Sequence, residues 1–280
     1  LYDRCFMPHT TFIPYREFEN VLGIKGIDEY IRYGGTMSIS GARYNQTVAT
    51  FATRESTNEY VNSAIARNIQ HSLKNYRDGY HFRKLRDLYE ANELTNAINR
   101  IVEDINHAFT MEVLTRTFVS HDLGISARNL QKDPAVPHNP LDIIAKEAVT
   151  QRLQQLLEIK NQADYSVEIQ DVHRKEIKEY LDFLDLTIDL DEVDLSDLSV
   201  SKHTAIAQPG LRYAQAEALI ESLIEDPVMR VLSLAERNMV MQRILDEVKG
   251  RMMEDIVILE TKIARPKCKV FKLKFAVGEF

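Results

Sequence analysis

Two stretches of this sequence carry residue types at spacings that could do chemistry. The first runs from Arg243 to Val257, where Gly250 is followed four positions later by Glu254 on an otherwise apolar helical pattern. A small residue one turn before a carboxylate allows close packing and aims the acid at the next element. That element is an alternating, strand-like run from Lys269 to Val277. Glu254 is therefore the candidate catalytic acid. In a metal-dependent nuclease such an acid joins an Asp and a Glu-x-Lys from the next strands to hold a divalent cation. Neither partner is visible before Phe280, so no metal ligand set is assigned, and a solvent-facing Glu explains the residue equally well.

The second stretch combines Ser120-His121-Asp122-Leu123-Gly124-Ile125-Ser126-Ala127-Arg128-Asn129-Leu130 with a basic helix face downstream. The former resembles the turn and second helix of a helix-turn-helix. Arg174, Lys175 and Lys178 lie on a helix that runs into a Leu186–Leu190 strand, a winged-helix-like order. Such units bind DNA through a basic helix face, which makes these three the candidate DNA-binding residues. Glu176 and Glu179 dilute the charge, and many such units only pack against neighbouring domains.

Other chemistries are missing from the sequence. No G-x-x-x-x-G-K-[ST] motif is present, and Gly35 to Gly41 is a glycine-flanked turn without the lysine. Ile256-Val257-Ile258-Leu259-Glu260 looks like a Walker B string, but it continues a helical pattern and reads as core. The eight histidines are scattered, with no HExxH, and no G-x-S-x-G elbow occurs. Asp182 to Asp197 holds seven acids and no base, but lacks the order and glycine of a calcium loop, so a solvated acidic loop is expected.

These residues need elements to position them. The sequence favours several helices with short strands. Residues 1–26 read as extended structure followed by a turn, with Thr10 to Tyr15 β-branched and aromatic, Pro14 at a strand end or edge, and Gly23 and Gly26 bracketing a break. A helix is expected from Ile27 to Tyr33, between Gly26 and Gly34-Gly35. Ser56-Thr57-Asn58-Glu59 has capping-box spacing, and Val61, Ile65, Ile69 and Leu73 come after it at four-residue steps. A longer helix is predicted from about Arg83 to Val119, with the seam Leu94, Ile98, Ile101, Ile105, Phe109 and Val113 as core packing. The proline-rich stretch Lys132–Pro140 is the linker and starts the next helix, with Asn139 as N-cap and Pro140 at N1. A helix over Val172–Leu184 and the short strand come next. Asp226-Pro227 is expected to cap a last helix that runs to about Ile263 with Gly250 inside it.

At 280 residues the chain is long enough for more than one domain, and 44% hydrophobic with 28% charged residues is ordinary for a globular protein. The net charge of −7 encodes no global attraction to nucleic acid, so any DNA contact needs a local patch. Cys5 and Cys268 form no CxxC unit, and no signal peptide or membrane-length apolar run occurs. A cytoplasmic location without membrane contact is the expectation.

Several segments together resemble one family, prokaryotic AAA+-type P-loop ATPases with a C-terminal restriction-nuclease-like domain. Leu1-Tyr2-Asp3-Arg4 looks like the segment after the sensor strand of the ATPase core, and Phe12-Ile13-Pro14-Tyr15-Arg16-Glu17-Phe18 is similar to the stretch next to it. Ile27 to Gly35 resembles the family's helix ending in a glycine pair, with Thr36-Met37-Ser38 where a proline usually comes. Lys249 to Val257 looks like the helix that opens the nuclease-like domain, and Gln208 to Tyr213 would sit in the connector.

The resemblance implies a mainly α fold with minor β: a helical lid, a winged-helix-like unit, and the start of an α/β nuclease-like domain. The expected divisions are 1–26 as the tail of the ATPase core, 27–133 as the lid region, 139–200 as the winged-helix-like unit, and 205–280 as connector and nuclease-like start. It implies ATP and Mg2+ for the parent protein, held by a P-loop upstream, with neither demonstrable in this stretch. Whether the stretch is itself an enzyme stays open. Arg4 would sense the nucleotide, as an Arg at the edge of such a core stabilises phosphate charge. The implied function couples nucleotide state to DNA or another protein, with oligomerisation open. Two alternatives stand beside it: a non-catalytic interaction module binding protein or DNA, and a truncated magnesium-dependent nuclease.

Overall fold

The computed structural model describes residues 13–23, 25–34, 54–67, 69–70, 84–119, 148–149, 151–155 and 169–274. Arg4, Ser120–Leu130, Lys132–Pro140 and Gly35–Gly41 lie outside them, as does the strand-like run beyond Lys274. The described residues form a mainly helical fold with a small three-stranded mixed sheet.

The first element corrects the extended reading over Tyr15–Leu22, while residues 1–12 lie outside the described residues. Ile13 makes only an isolated bridge, and Tyr15–Leu22 is a helix, α1, that starts directly after Pro14. Packing decides this. Tyr15 and Phe18 lie on one face of α1 and meet the Tyr30 ring edge-on, at 5.4 and 5.3 Å. Gly23 ends α1 in the left-handed region at φ 68°, and Gly26 adopts φ 111° before the next helix, α2 (Ile27–Tyr33). Gly34 ends α2 for another reason. A Cβ there would stand 2.5 Å from the Tyr30 carbonyl oxygen and closer still to the Tyr30 ring.

Helix α3 spans Arg54–Tyr60, so Ser56 lies inside it and does not cap it. It continues as a π-helical section over Val61–Ala66. Apolar residues at four-residue steps drift by about 40° per step on an α-helix; widening the turn cancels that drift. Val61, Ile65 and Ile69 all stay buried as a result.

The long helix expected from Arg83 is two helices, α4 (Leu85–Glu90) and α5 (Leu94–Val119). Asn92 sits at φ 58°, its N–H bonds the Tyr89 carbonyl, and the Glu93 N–H bonds the Leu88 carbonyl. Those two bonds form a Schellman stop, and Asn tolerates the left-handed turn it needs. Helix α6 (Asp171–Phe183) ends the same way on Asp185 at φ 54°. Its Glu176 carboxylate accepts from the Lys84 and Leu85 N–H groups, tying α6 to the start of α4.

Strand β1 (Thr187–Asp194) is longer than predicted and sits at the centre of the sheet. It pairs antiparallel with β2 (Val200–Ile206) and parallel with β3 (Lys272–Lys274). The acidic segment is therefore largely strand, not loop. Its acids are matched across the sheet: Asp191 stands opposite Lys202, Glu192 opposite Lys272, and Asp194 opposite Lys274. Opposite charges at facing positions offset the poor strand propensity of Asp and Glu.

Helix α7 (Pro209–Ile224) follows β2, with Pro209 at its first turn. Asp226 caps a short 3-10 turn, Pro227–Met229, and not the last helix. That helix, α8 (Leu234–Ala264), is opened by Ser233 with Glu236 in a reciprocal capping box. It contains Ile256, Val257 and Ile258, so the Walker-like string is helical.

Among the described residues two large apolar cores hold the elements, and a small third cluster of Leu190, Ala205 and Ile258 ties the sheet to α8. One large core joins Phe18, Tyr30 and Ile31 to Val113, Leu219, Ile244, Val248 and Met252. The other joins Val61, Ile65 and Ile69 to Leu88, Ile98, Ile177 and Leu186. The predicted α5 seam runs through both: Leu94, Ile98 and Ile101 pack in the second core, Val113 in the first. The cores thus draw on segments from all four expected divisions. Asn106 on α5 also donates to Gln215 on α7 at 2.7 Å, a buried polar tie between them.

Candidate functional site

The sheet, α5, α6, α7 and α8 enclose a cleft of about 460 Å³. Its floor is apolar, formed by Ile101, Ile105, Phe109, Val113, Leu190 and Ala205. Its walls carry Arg174, Lys178, Lys202, Arg212, Arg251 and Lys272 against Asp104, Glu112, Glu192 and Asp255, with His203 among them. Six bases face four acids in a chain whose net charge is −7, so the cleft inverts the sign of the whole molecule.

Helix periodicity explains how α6 contributes. His173, Ile177, Tyr180 and Leu181 are buried, which leaves Arg174 and Lys178, four residues apart, along the cleft edge. Arg174 Nη1 lies 2.6 Å from Asp104 Oδ2, whose other oxygen takes Arg100 Nε at 2.8 Å. Lys178 Nζ donates to the Thr204 hydroxyl at 2.9 Å, and that hydroxyl donates to Asp189. Lys175 is exposed on α6 and does not line the cleft. Two of the three predicted DNA-binding residues thus share one wall and contact α5 and β2.

The deepest part of the site is built around Asp255. Arg212 is 4% exposed and Asp255 3%, and Arg212 Nη2 lies 2.9 Å from Asp255 Oδ2. The guanidinium rests over the Phe109 ring at 4.3 Å, a cation–π contact that fixes its orientation. Lys272 Nζ reaches Asp255 Oδ1 at 2.6 Å. Among the described residues, Arg212 Nε is a buried donor without a hydrogen-bond partner. His203 stands between two carboxylates, with Nδ1 3.7 Å from Glu112 and Nε2 3.9 Å from Glu192.

Glu254, the predicted catalytic acid, has a side chain 46% exposed and does not line the cleft. It meets Arg251 Nη1 at 3.2 Å and Lys272 Nζ at 3.5 Å. The neighbouring acid, Asp255, is the one that sequence reasoning misses. Its signal is phase: Val248, Met252 and Asp255 fall on the buried face of α8, where an unpartnered acid would be costly.

Asp255 is engaged by Arg212 and Lys272, and among the described residues no group of three His, Cys, Asp or Glu side chains converges.

No known protein family, curated protein or solved structure matches this chain. No helix among the described residues is long and apolar enough to cross a membrane.

Proposed function

We infer that this chain is the helical lid, winged-helix-like unit and connector of a P-loop ATPase of AAA+ type, with the start of a nuclease-like α/β domain. Its role is to pass the nucleotide state of the ATPase core to a partner. ATP and Mg2+ would be held by that core, with Arg4 beside the nucleotide. The observation that carries the reading is the first apolar core. It locks α1 and α2, the elements nearest the expected ATPase core in sequence, onto α7 and α8. Lys249 on α8 reinforces the junction, pairing with Asp28 of α2 at 3.1 Å and lying over the Tyr213 ring of α7 at 5.5 Å. A displacement of α2 is therefore carried into α8, a rod of 31 residues and about 46 Å. Close-packed cores transmit such shifts because they do not deform continuously.

The order of α6, β1 and β2, a helix followed by an antiparallel hairpin, supports the winged-helix-like unit. The hairpin acids Asp191, Glu192 and Asp194 stand opposite Lys202, Lys272 and Lys274, so the arm offers no strongly basic face for DNA phosphates, and the partner is DNA or a protein.

The test is hydrogen exchange on the full gene product with Mg-ATP and with ADP. We expect exchange at α2, α7 and α8 to differ between the two nucleotides. A product that neither binds nor hydrolyses ATP, or whose upstream 200 or so residues, a typical domain length, lack a G-x-x-x-x-G-K-[ST], sinks the ATPase reading. Partner binding that persists without any nucleotide response would make this an interaction module instead.

A further inference from the structure

We propose that the cleft is a binding site for a small phosphorylated molecule with an apolar or planar body, the chemistry of a nucleoside monophosphate. The site is independent of the P-loop expected upstream. A volume of about 460 Å³ lies within the range of sites that take ligands of this size. Of the six cleft bases, Arg174, Arg212, Arg251 and Lys272 are balanced by Asp104, Asp255 and Glu254, whereas Lys178 and Lys202 make no salt bridge among the described residues, and a dianionic phosphate would balance them.

Buried polar groups are almost always paired, yet Arg212 is nine-tenths buried, lines the cleft, and leaves its Nε without a partner among the described residues. The enclosed Nε is itself out of a ligand's reach, but the guanidinium, held by Asp255 and the Phe109 face, adds a fixed positive charge to the cleft wall. Lys202, exposed at the rim, shares one face of β2 with Thr204, so Lys202 and Lys178, which spends one of its three donors on Thr204, can close on one phosphate group. Asp104 and Asp255 are neutralised by Arg174, Arg212 and Lys272. The remaining cleft acids, Glu112 and Glu192, flank His203. The apolar floor of Ile105, Val113 and Leu190 would accept the organic body, so a bare anion should bind less well than one carrying such a body.

Calorimetric titration of the chain at low ionic strength tests this, with AMP, adenosine, inorganic phosphate and a short single-stranded oligonucleotide as probes. AMP should bind saturably and at least about tenfold tighter than phosphate or adenosine, since losing one charge-assisted contact or the apolar body each removes about that factor. Lys202→Ala and Lys178→Ala should each weaken AMP about tenfold, with circular dichroism unchanged. Lys267→Ala, which removes an exposed charge away from the cleft, should leave the affinity as it is. Absence of saturable AMP binding overturns the proposal. So does an equal loss with Lys267→Ala, which would mean a diffuse charge effect. Equal affinity for AMP and phosphate overturns the apolar recognition and leaves a bare anion seat. Oligonucleotide binding that AMP does not compete away would make the cleft a nucleic-acid surface instead.

Discussion

Replacing Asp255 by Asn tests the cleft's inner wall most directly. The two side chains have nearly the same shape, so the change removes charge and little else. Asp255 is 3% exposed and holds two cations, Arg212 at 2.9 Å and Lys272 at 2.6 Å. They do not respond alike. Lys272, with a side chain 20% exposed, can shift towards Glu254, which is already 3.5 Å away. Arg212, with a side chain 5% exposed and seated on Phe109, has nowhere to go. One buried, uncompensated cation costs about 3–5 kcal/mol. The Asn carbonyl still accepts a bond from Arg212, returning about 1 kcal/mol. The net loss is about 3 kcal/mol, roughly a hundredfold in the folding equilibrium. Glu254→Gln is the internal control, because its partly exposed pairs should be worth less than about 1 kcal/mol. Urea melts followed by far-ultraviolet circular dichroism at neutral pH give both values. The double replacement of Arg212 by Met and Asp255 by Leu should recover most of the loss, as apolar pairs often replace buried ion pairs without penalty. If Asp255→Asn and Glu254→Gln fall within about 1 kcal/mol of each other, the Arg212–Asp255 pair is hydrated and the argument fails.

Three further outcomes rest on the same geometry. Burial pushes the Asp226 carboxyl up, but hydrogen bonds from Arg152 and the Val228 N–H, with the Arg152 charge, prevail and hold it below its ordinary value of 3.8. Its stabilisation is therefore complete above that value and lost as the pH falls through the lowered one. Asp226→Asn keeps a capping oxygen but loses the ion pair with Arg152, so it should cost about 1 kcal/mol at neutral pH, and the gap should close in acid melts. Gly34→Ala should destabilise by about 1–3 kcal/mol, because the added methyl displaces the Tyr30 ring from α1, and thermal melts with the retained Gly34 as reference measure it. Burial raises the Asp182 carboxyl, with Asp189 and Glu179 adding to it against Lys178. The charged form is thus disfavoured in the fold, so Asp182→Asn should stabilise at neutral pH by less than about 1 kcal/mol, given its exposure, and leave melts below pH 3.8 unchanged. An unchanged or lower midpoint at neutral pH would refute that account.

The parts of the fold legible in the sequence were those with local causes. Helix α2 runs over the predicted Ile27–Tyr33 because Gly26 and the crowded Gly34 bound it on both sides. The α5 seam was visible because a 3.6-residue period is written in consecutive turns. The elements that escaped depend on distant partners. Val200–Ile206 has little alternation of its own and becomes a strand by pairing with β1. The acids of β1 read as a loop until lysines from β2 and β3 stand opposite them. Asp255 looked like one more helix acid beside Glu254, since its partner Arg212 lies on another helix. Basic residues on α6 suggested a free face, whereas Arg174 is engaged by an acid of α5 that no local pattern points to.

The parallel pairing of β1 with β3 joins Glu192 to Lys272, about 80 residues further along the chain, while β1 and β2 meet through a tight hairpin. Closing so long a loop is entropically slow, and the hairpin and the α7–α8 packing need no such closure. As the chain emerges during synthesis, those units have their partners long before β3 does. For that interval Asp255 balances Arg212 alone, and Glu192 and Asp194 flank an open strand edge without their lysines. That acidic edge repels copies of itself, which guards the half-made sheet against pairing with another chain until Lys272 and Lys274 arrive.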